Sequence, residues 1–178
     1  MIEQTDIINE LWRSISGYMN YQISNIGRVR NTETGRILKN GSSNGYHVIC
    51  LKKNGDKMMH RVHMLVAQEF LDKPDVEYKL VVDHIDRNRL NNQVSNLRYA
   101  SMTQNSMNKS KKNNGTSIYK GVCWDRFKNK WKAQIVIEKK KTHLGFFDNE
   151  MEAALAYDEA AREHYKEYSC TNNIIITS

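Results

Sequence analysis

The chain has 178 residues, which is enough to bury a core of its own or to divide into two or three small modules. Lys and Arg number 27 against 20 for Asp and Glu, so the formal net charge is +7. This balance favours a nucleic acid or an anionic membrane as partner, although a merely solvated basic surface would produce it as well. No apolar run approaches the roughly 20 residues of a membrane span, and the acidic N-terminal segment is unlike a secretory signal, so we expect a soluble protein without a membrane partner.

The three cysteines exclude two kinds of covalent framework. Cys50, Cys123 and Cys170 are far apart, odd in number and never spaced as C-x-x-C. Neither a disulfide framework nor a cysteine zinc site is therefore expected, and no disulfide partner is implied. A reducing, cytoplasmic setting fits this usage best.

The first sixty residues contain short β-like runs separated by glycines. Apolar residues alternate around a predicted turn at residues 25–27. Residues 45–51 and 56–63 are two predicted strands, and the intervening K-K-N-G-D is a hairpin signal. Residues 62–71 then space their apolar side chains as a short amphipathic helix does.

The segment from Leu80 to Asn108 predicts the order strand, loop, strand, helix. Val81 and Val82 indicate the first strand, residues 86–88 a turn, and residues 97–99 the second strand. Ser101 followed by Gln104 is a capping-box pattern that predicts a helix start. That helix would carry Asn105 and Asn108 on one face, one turn apart.

Two features mark possible boundaries before and after this segment. Pro74 precedes the segment, and the polar, basic run from residue 105 to residue 117 follows it. We interpret this run either as a linker lying on phosphate or as a solvated linker.

Residues 118–168 predict three short strands followed by a helix. Turns are expected at residues 128–129 and 138–141, and Asn149 with Glu152 is a second capping-box pattern. The helix carries small residues that would let it pack closely on the sheet. We assign its apolar stripe to the core: Ala153, Ala154, Tyr157, Ala160, Ala161 and His164.

An Asp-His pair at the end of an apolar run suggests hydrolytic chemistry. A neutral imidazole, His84, is a suitable general base near neutral pH, and the Asp83 carboxylate suits a hard divalent ion. Adjacent strand residues point to opposite faces, so the two can share a site only if the strand ends or bulges there. Taken alone, the pair fits a surface turn better. The spacing to Asn96 and Asn105 favours the catalytic interpretation.

Residues 83–105 also resemble the HNH nuclease motif of phage and intron homing endonucleases. The resemblance implies an α+β fold with a central ββα-metal finger. It implies Asp83 and Asn105 as metal ligands, His84 as general base, and Asn96 as the residue that braces the loop. Asn105 departs from the histidine found there in many HNH enzymes. The implied cofactor is a divalent metal ion, Mg²⁺ or Mn²⁺, and for His63, at the start of the preceding helix, we favour a packing or capping role.

The flanking segments resemble two DNA-reading families. Residues 12–31 resemble the NUMOD-type motif that precedes HNH domains, which implies DNA contacts by Arg28 and Arg30. Residues 119–161 resemble the plant ethylene-response-factor domain, whose three-stranded sheet enters the major groove. Because this chain has fewer arginines on the sheet, anchoring to the DNA backbone is the alternative to base readout. The matching positions that imply contacts are Trp124, Arg126, Lys130, Trp131, Lys132 and Lys141.

These observations predict a modular α+β DNA endonuclease acting on double-stranded DNA. We expect a β-rich DNA-binding region in residues 1–60, an HNH domain in 61–110, a linker in 111–117 and a second DNA-binding domain in 118–170. One active site cuts one strand, so a monomer would nick, and cutting both strands would need a weak dimer or repositioning of the monomer. The alternatives are a DNA-binding regulator with a degenerate nuclease motif and a structural RNA-binding protein.

Overall fold

The computed structural model describes residues 9–111, 115–172 and 174. They form two compact units, one running through Ser101 and the other beginning at Met102. Both combine small antiparallel sheets with helices, which confirms the predicted α+β class. Among the described residues, no helix is long and apolar enough to cross a membrane.

The first unit opens with two three-stranded antiparallel sheets. The hairpin predicted in residues 45–63 is confirmed, and Asn54 and Gly55 make its two-residue turn with φ values of 52° and 90°. The first sheet contains β1 (Trp12–Ile15), β2 (Tyr18–Ser24) and β3 (Val29–Asn31). The second contains β4 (Gly41–Ser43), β5 (Tyr46–Lys53) and β6 (Asp56–Arg61).

One helix follows β6 directly and joins these sheets through a common core. The predicted amphipathic helix is α1 (Val62–Phe70), which buries Val62, Leu65 and Val66 and leaves Met64 on the outside. Its apolar face packs into a cluster with residues from β1, β2, β3, β5 and the following hairpin. The members of this cluster are Ile15, Ile23, Val29, Ile49, Leu51, Val62, Leu65, Val66 and Leu97.

The predicted order strand, loop, strand, helix is confirmed. β7 (Leu80–His84) pairs antiparallel with β8 (Leu97–Ser101), and a short 3₁₀ turn at Val94–Asn96 lies at the end of the connecting loop. The second unit then begins with α2 (Met102–Met107).

The second unit continues with the predicted three strands and a helix. β9 (Val122–Asp125), β10 (Lys130–Ile137) and β11 (Lys140–Phe147) form a sheet in which β10 is central. α3 (Glu150–Tyr165) packs on this sheet. The Asn149 side chain caps α3 by accepting a hydrogen bond from the Met151 amide at 2.8 Å, so the predicted helix start is confirmed.

The buried stripe of α3 ends one residue later than predicted. His164 is exposed, and Tyr165 is buried instead, with its hydroxyl donating to the Val136 carbonyl at 2.6 Å. The reason is the 3.6-residue period of a helix, which continues the line of Tyr157 and Ala161 at position 165. Asp158, which is not part of the predicted stripe, is fully buried and accepts two hydrogen bonds from Asn172.

Candidate active site

The Asp-His pair lies where β7 ends, and both residues are only 5% exposed. Asp83 faces Arg98 across the hairpin, and Arg98 donates to Asp83 Oδ2 from Nε at 3.0 Å and from Nη2 at 2.9 Å. The ion pair is largely buried, and it fixes the carboxylate rather than adding much net stability. The Asp83 carboxylate is therefore held in one orientation, unlike that of a loose surface group.

The His84 imidazole is held by a side chain that the sequence analysis did not single out. His84 Nε2 lies 3.3 Å from Asn92 Oδ1, and Asn92 is buried. Asn92 Nδ2 in turn donates to the Leu90 carbonyl at 3.2 Å and lies 3.0 Å from His47 Nδ1. Since a carbonyl can only accept, Leu90 assigns the orientation of the Asn92 amide. His84 Nε2 then carries the proton, and Nδ1 keeps the lone pair.

Asn96 ties together the two ends of the loop that follows His84. Its Oδ1 accepts from the Asp86 amide at 2.9 Å, and its Nδ2 donates to Asp86 Oδ1 and to the Asn91 carbonyl, each at 2.9 Å. The Asn96 carbonyl also accepts from the Ile85 amide at 2.9 Å. These bonds give Asn96 the geometry of a loop brace.

His63 lies beside His84, although it is distant in sequence. The two ring centroids are 5.0 Å apart, and His63 also contacts the Tyr46 ring at 4.9 Å. Burial, together with the positive charges of His84 and Arg61, lowers the pKa of His63 to about 4. Burial also lowers the pKa of His84. This effect outweighs the hydrogen bond to Asn92 and the nearby carboxylates, which raise the pKa. Both imidazoles are therefore neutral near pH 7, which leaves His84 able to accept a proton.

The N-terminal segment around Gly27 packs against the loop that contains Asn92. Gly27 has a φ of +83°, and a Cβ placed on it would lie 2.8 Å from Asn92 Cβ. The neighbouring Asn25 carbonyl accepts from the Val94 amide at 2.7 Å. The segment predicted to bind DNA thus also sets the position of the residue that holds His84. In the sequence, the feature at this point of the N-terminal segment is the predicted N-I-G turn at residues 25–27.

Arg28 and Arg30 come together around Trp12. The Arg30 guanidinium lies 4.3 Å from the Trp12 ring centroid and donates twice to Gln22 Oε1, at 2.8 and 2.7 Å. Arg28 is exposed, lies 5.9 Å from the same ring and forms an ion pair with Glu10. Both predicted DNA contacts are therefore held in place by protein partners.

The predicted metal ligands lie in different parts of the fold. Asp83 ends β7 in the first unit, and Asn105 is half-buried in α2 of the second unit. The described residues contain no cluster of three or more His, Cys, Asp or Glu side chains that could hold a metal. An ion on Asp83 would therefore be completed by amide, phosphate or water oxygens. That donor chemistry fits a hard divalent cation such as Mg²⁺.

The predicted lysines share the face of the second-unit sheet that points away from α3. Ala133 and Ile135 are buried against α3, so the alternation of a strand turns Lys130 and Lys132 to the other face. Lys141 pairs with the exposed Val136 and joins them, and Lys130 also contacts Asp148 Oδ2 at 3.1 Å. Arg126 is exposed in the turn after β9. We call Lys130, Lys132 and Lys141 the open-face lysines.

Trp124 and Trp131 lie on the opposite face from these lysines. They pair directly across β9 and β10 with ring centroids 5.0 Å apart, and Trp131 packs against the cluster that contains Val122 and Ala133. Each tryptophan is one residue out of phase with the lysines, so alternation places its ring on the α3 side of the sheet. Trp131 thus takes part in the packing of the sheet on α3, and the Trp124 ring contacts it.

Two segments of the chain match known protein families. Residues 10–52 match the NUMOD4 motif, and residues 60–107 match the HNH endonuclease family. The chain is 42% identical over 96 residues to the DNA endonuclease I-HmuI of Bacillus phage SP01, covering 53% of this chain and 54% of that protein. It is 40% identical over 94 residues to the HNH endonuclease L245 of Acanthamoeba polyphaga mimivirus, covering 53% of this chain and 28% of that protein.

A solved structure agrees with these matches. The structure titled "DNA binding and cleavage by the HNH homing endonuclease I-HmuI" aligns with a TM-score of 0.51 and 40% identity, over 55% of this chain and 56% of that one. The chain thus spans about half or less of the length of these relatives. From the N-terminal sheets to α2, this chain is therefore similar to HNH endonucleases, with a NUMOD4 match ahead of the HNH match.

Proposed function

We propose that this protein is a metal-dependent, homing-type endonuclease that hydrolyses phosphodiester bonds of double-stranded DNA, nicking one strand per active site. The observation that carries the proposal is the pair of buried, oriented side chains at the end of β7. Asp83 is held by Arg98, and His84 is held at Nε2 by Asn92, on a hairpin whose loop Asn96 braces. The family match of residues 60–107 supports the same reaction.

His84 acts as the general base in this proposal. Its Nδ1 takes a proton from a water molecule, and the water oxygen attacks the phosphorus in line with the departing 3′ oxygen. The bond from phosphorus to that oxygen breaks, and the departing oxygen takes a proton from solvent water, which leaves a 5′-phosphate and a 3′-hydroxyl. The hydrogen bond from Nε2 to Asn92 prevents the ring from turning as Nδ1 becomes charged. Mg²⁺ or Mn²⁺, with Asp83 and Asn105 as ligands, would stabilise the charge that develops on the phosphoryl and leaving oxygens.

The proposed DNA contacts come before and after the nuclease hairpin in the sequence. Arg28 and Arg30 would approach the DNA backbone from the N-terminal region. Residues 118–170 would act as an ethylene-response-factor-like domain that contacts DNA through the open-face lysines and Arg126. A three-stranded sheet with a basic face fits this mode of β readout, and lysines mainly neutralise phosphates. In this proposal, residues 1–60 and 118–170 bind DNA, residues 61–110 form the nuclease domain, and residues 111–117 are the linker.

Plasmid cleavage tests this proposal directly. Supercoiled plasmid is incubated with the wild type, His84→Ala or His164→Ala in Mg²⁺, Mn²⁺ or EDTA, and the nicked form is followed on a gel. His164 is an exposed histidine on α3 and serves as the matched control. We expect metal-dependent nicking by the wild type and His164→Ala, and a loss of about 10² to 10⁴ in rate for His84→Ala.

Two outcomes would contradict it. If the wild type leaves plasmid and candidate target DNA intact in every metal but still binds DNA, the protein is a DNA-binding regulator. If His84→Ala cuts as fast as the wild type, the assignment of the base is wrong.

A further inference from the structure

Two arginines converge on one tyrosine near the catalytic histidine. Tyr46 begins β5, Arg61 ends β6, and Arg89 lies in the loop between β7 and β8. The guanidinium carbon of each arginine lies 4.9 Å from the Tyr46 ring centroid. Three separate stretches of the first unit are thus required to build this cluster.

The cluster borders the two neutral imidazoles. The Tyr46 ring centroid is 4.9 Å from that of His63 and 6.1 Å from that of His84. Both arginine side chains are exposed, so their charged ends remain accessible beside the buried base. A group bound to them would lie next to the bond on which His84 acts.

Neither guanidinium has a carboxylate partner within the described part of the chain. Ion pairs there involve other cations, such as Arg28 with Glu10 and Arg98 with Asp83. The carboxylate of Asp86, in the same loop as Arg89, is instead occupied by the Asn88 amide and by the side chains of Asn91 and Asn96. Arg89 Nη1 donates a long hydrogen bond of 3.4 Å to the Asn44 carbonyl.

Two exposed guanidinium groups beside one ring form a positively charged site suited to an anion. Stacking on the tyrosine ring holds each group beside it, and the guanidinium carbons can be no farther apart than twice their distance to the ring. A phosphate beside them would be attracted by both charges. Guanidinium groups also match phosphate oxygens in a bidentate manner, and stacking on an aromatic ring pre-orients them for it.

We infer that Arg61, Arg89 and the Tyr46 ring form a phosphate-binding subsite that holds a backbone phosphate of the DNA strand beside His84. The identity of the ligand as DNA rests on the proposed function. The subsite positions the strand through two fixed guanidinium groups. It differs from the contacts proposed for the N-terminal arginines and the open-face lysines because it lies at the reacting bond.

The test separates phosphate binding from cleavage. Arg61→Gln and Arg89→Gln are made singly and together in the His84→Ala background, and binding to a mixed-sequence duplex is measured in EDTA at several salt concentrations. Arg162→Gln, which removes an equal charge from the exposed side of α3, is the matched control. We expect the slope of log K against log salt to become shallower by about 0.9 for each arginine of the pair that is replaced. Arg162→Gln should leave that slope unchanged.

Cleavage by the same replacements with His84 intact supplies the second readout. We expect kcat/KM for plasmid nicking to fall for Arg61→Gln and Arg89→Gln and to be partly restored by Arg61→Lys and Arg89→Lys, which keep the charge but lose the bidentate geometry. A salt slope equal to that of Arg162→Gln overturns the subsite whatever the cleavage rate, because loss of stacking could slow cleavage alone. If the slope becomes shallower but the wild type cuts no DNA, the subsite stands and the proposed endonuclease activity fails.

Discussion

Replacing Gly27 by alanine should damage the active site from the N-terminal segment. Gly27 has a φ of +83°, and left-handed backbone costs an L-residue about 1 to 2 kcal/mol. The new methyl carbon would also lie 2.8 Å from Asn92 Cβ and 3.3 Å from Val62 Cγ1, so Asn92 must move. Overpacking of this kind costs about 1 to 3 kcal/mol. Together the two effects predict a loss of about 2 to 5 kcal/mol in the free energy of unfolding of the first unit.

Gly55→Ala is the matched control for the backbone term. Gly55 has a φ of +90°, and no atom lies within 4 Å of a Cβ placed there, so only the left-handed cost of about 1 to 2 kcal/mol applies. Native-state hydrogen exchange of amides in β2 and α1 measures the loss, because it reports opening of the first unit. We expect the difference between the two variants to equal the packing cost.

Cleavage should separate the two variants as well. A displaced Asn92 no longer holds His84 Nε2, and a misplacement of about 1 Å can cost about 10²-fold in rate. Plasmid nicking by Gly27→Ala should therefore be much slower, at a temperature where both variants are folded, while Gly55→Ala nicks like the wild type. If Gly27→Ala loses no more stability than Gly55→Ala and nicks normally, the N-terminal segment does not position Asn92.

Three further predictions follow from the same geometry. Asn92→Leu should lower kcat with little change in KM, whereas Asn92→Asp, which keeps an acceptor for His84 Nε2, should retain much more activity; equal losses would mean that Asn92 only packs the loop. In metal-free protein, the free energy of unfolding should fall by about 2 kcal/mol from pH 7 to pH 5, because unfolding lets His63 regain an ordinary pKa of 6.5 from about 4 and take up a proton. His63→Gln should show a smaller fall in urea titrations, and an equal one would refute the assignment. Lys132→Ala should make the salt dependence of DNA binding shallower by about one unit relative to Arg162→Ala if Lys132 contacts a phosphate; an identical slope removes it from the interface.

Local sequence patterns predicted most of the elements. The hairpin turn at Asn54 and Gly55, the α3 cap at Asn149, and the strand that ends at His84 all depend on neighbouring residues, whose turn and capping preferences act within a few positions. Local patterns did not determine which face of each strand packs against the helix. Trp131 and Lys132 are adjacent, so alternation places only one of them on the open face, and the sheet's packing on α3 decides which.

The partners of His84 could not be predicted in this way. His63, His47 and Tyr46 lie more than 20 residues before His84, and no spacing rule connects them to it. Asn92 lies in the same loop, but its amide is oriented by contacts that exist only once the loop is folded against Gly27. Such contacts depend on which surfaces the common core brings together.

The sequence by itself determined the chemistry available to this protein: a carboxylate and an imidazole at a strand end, an asparagine-rich loop, and a basic chain. These follow from residue types and short-range spacing. Only the tertiary structure decided which atoms are ready to react. Burial leaves the His84 ring neutral, Asn92 holds its Nε2, and the packing of α1 and two sheets brings Arg61 and Arg89 together beside the ring. The physical reason is that protonation state and side-chain orientation depend on surrounding atoms, and folding supplies those atoms from distant parts of the chain.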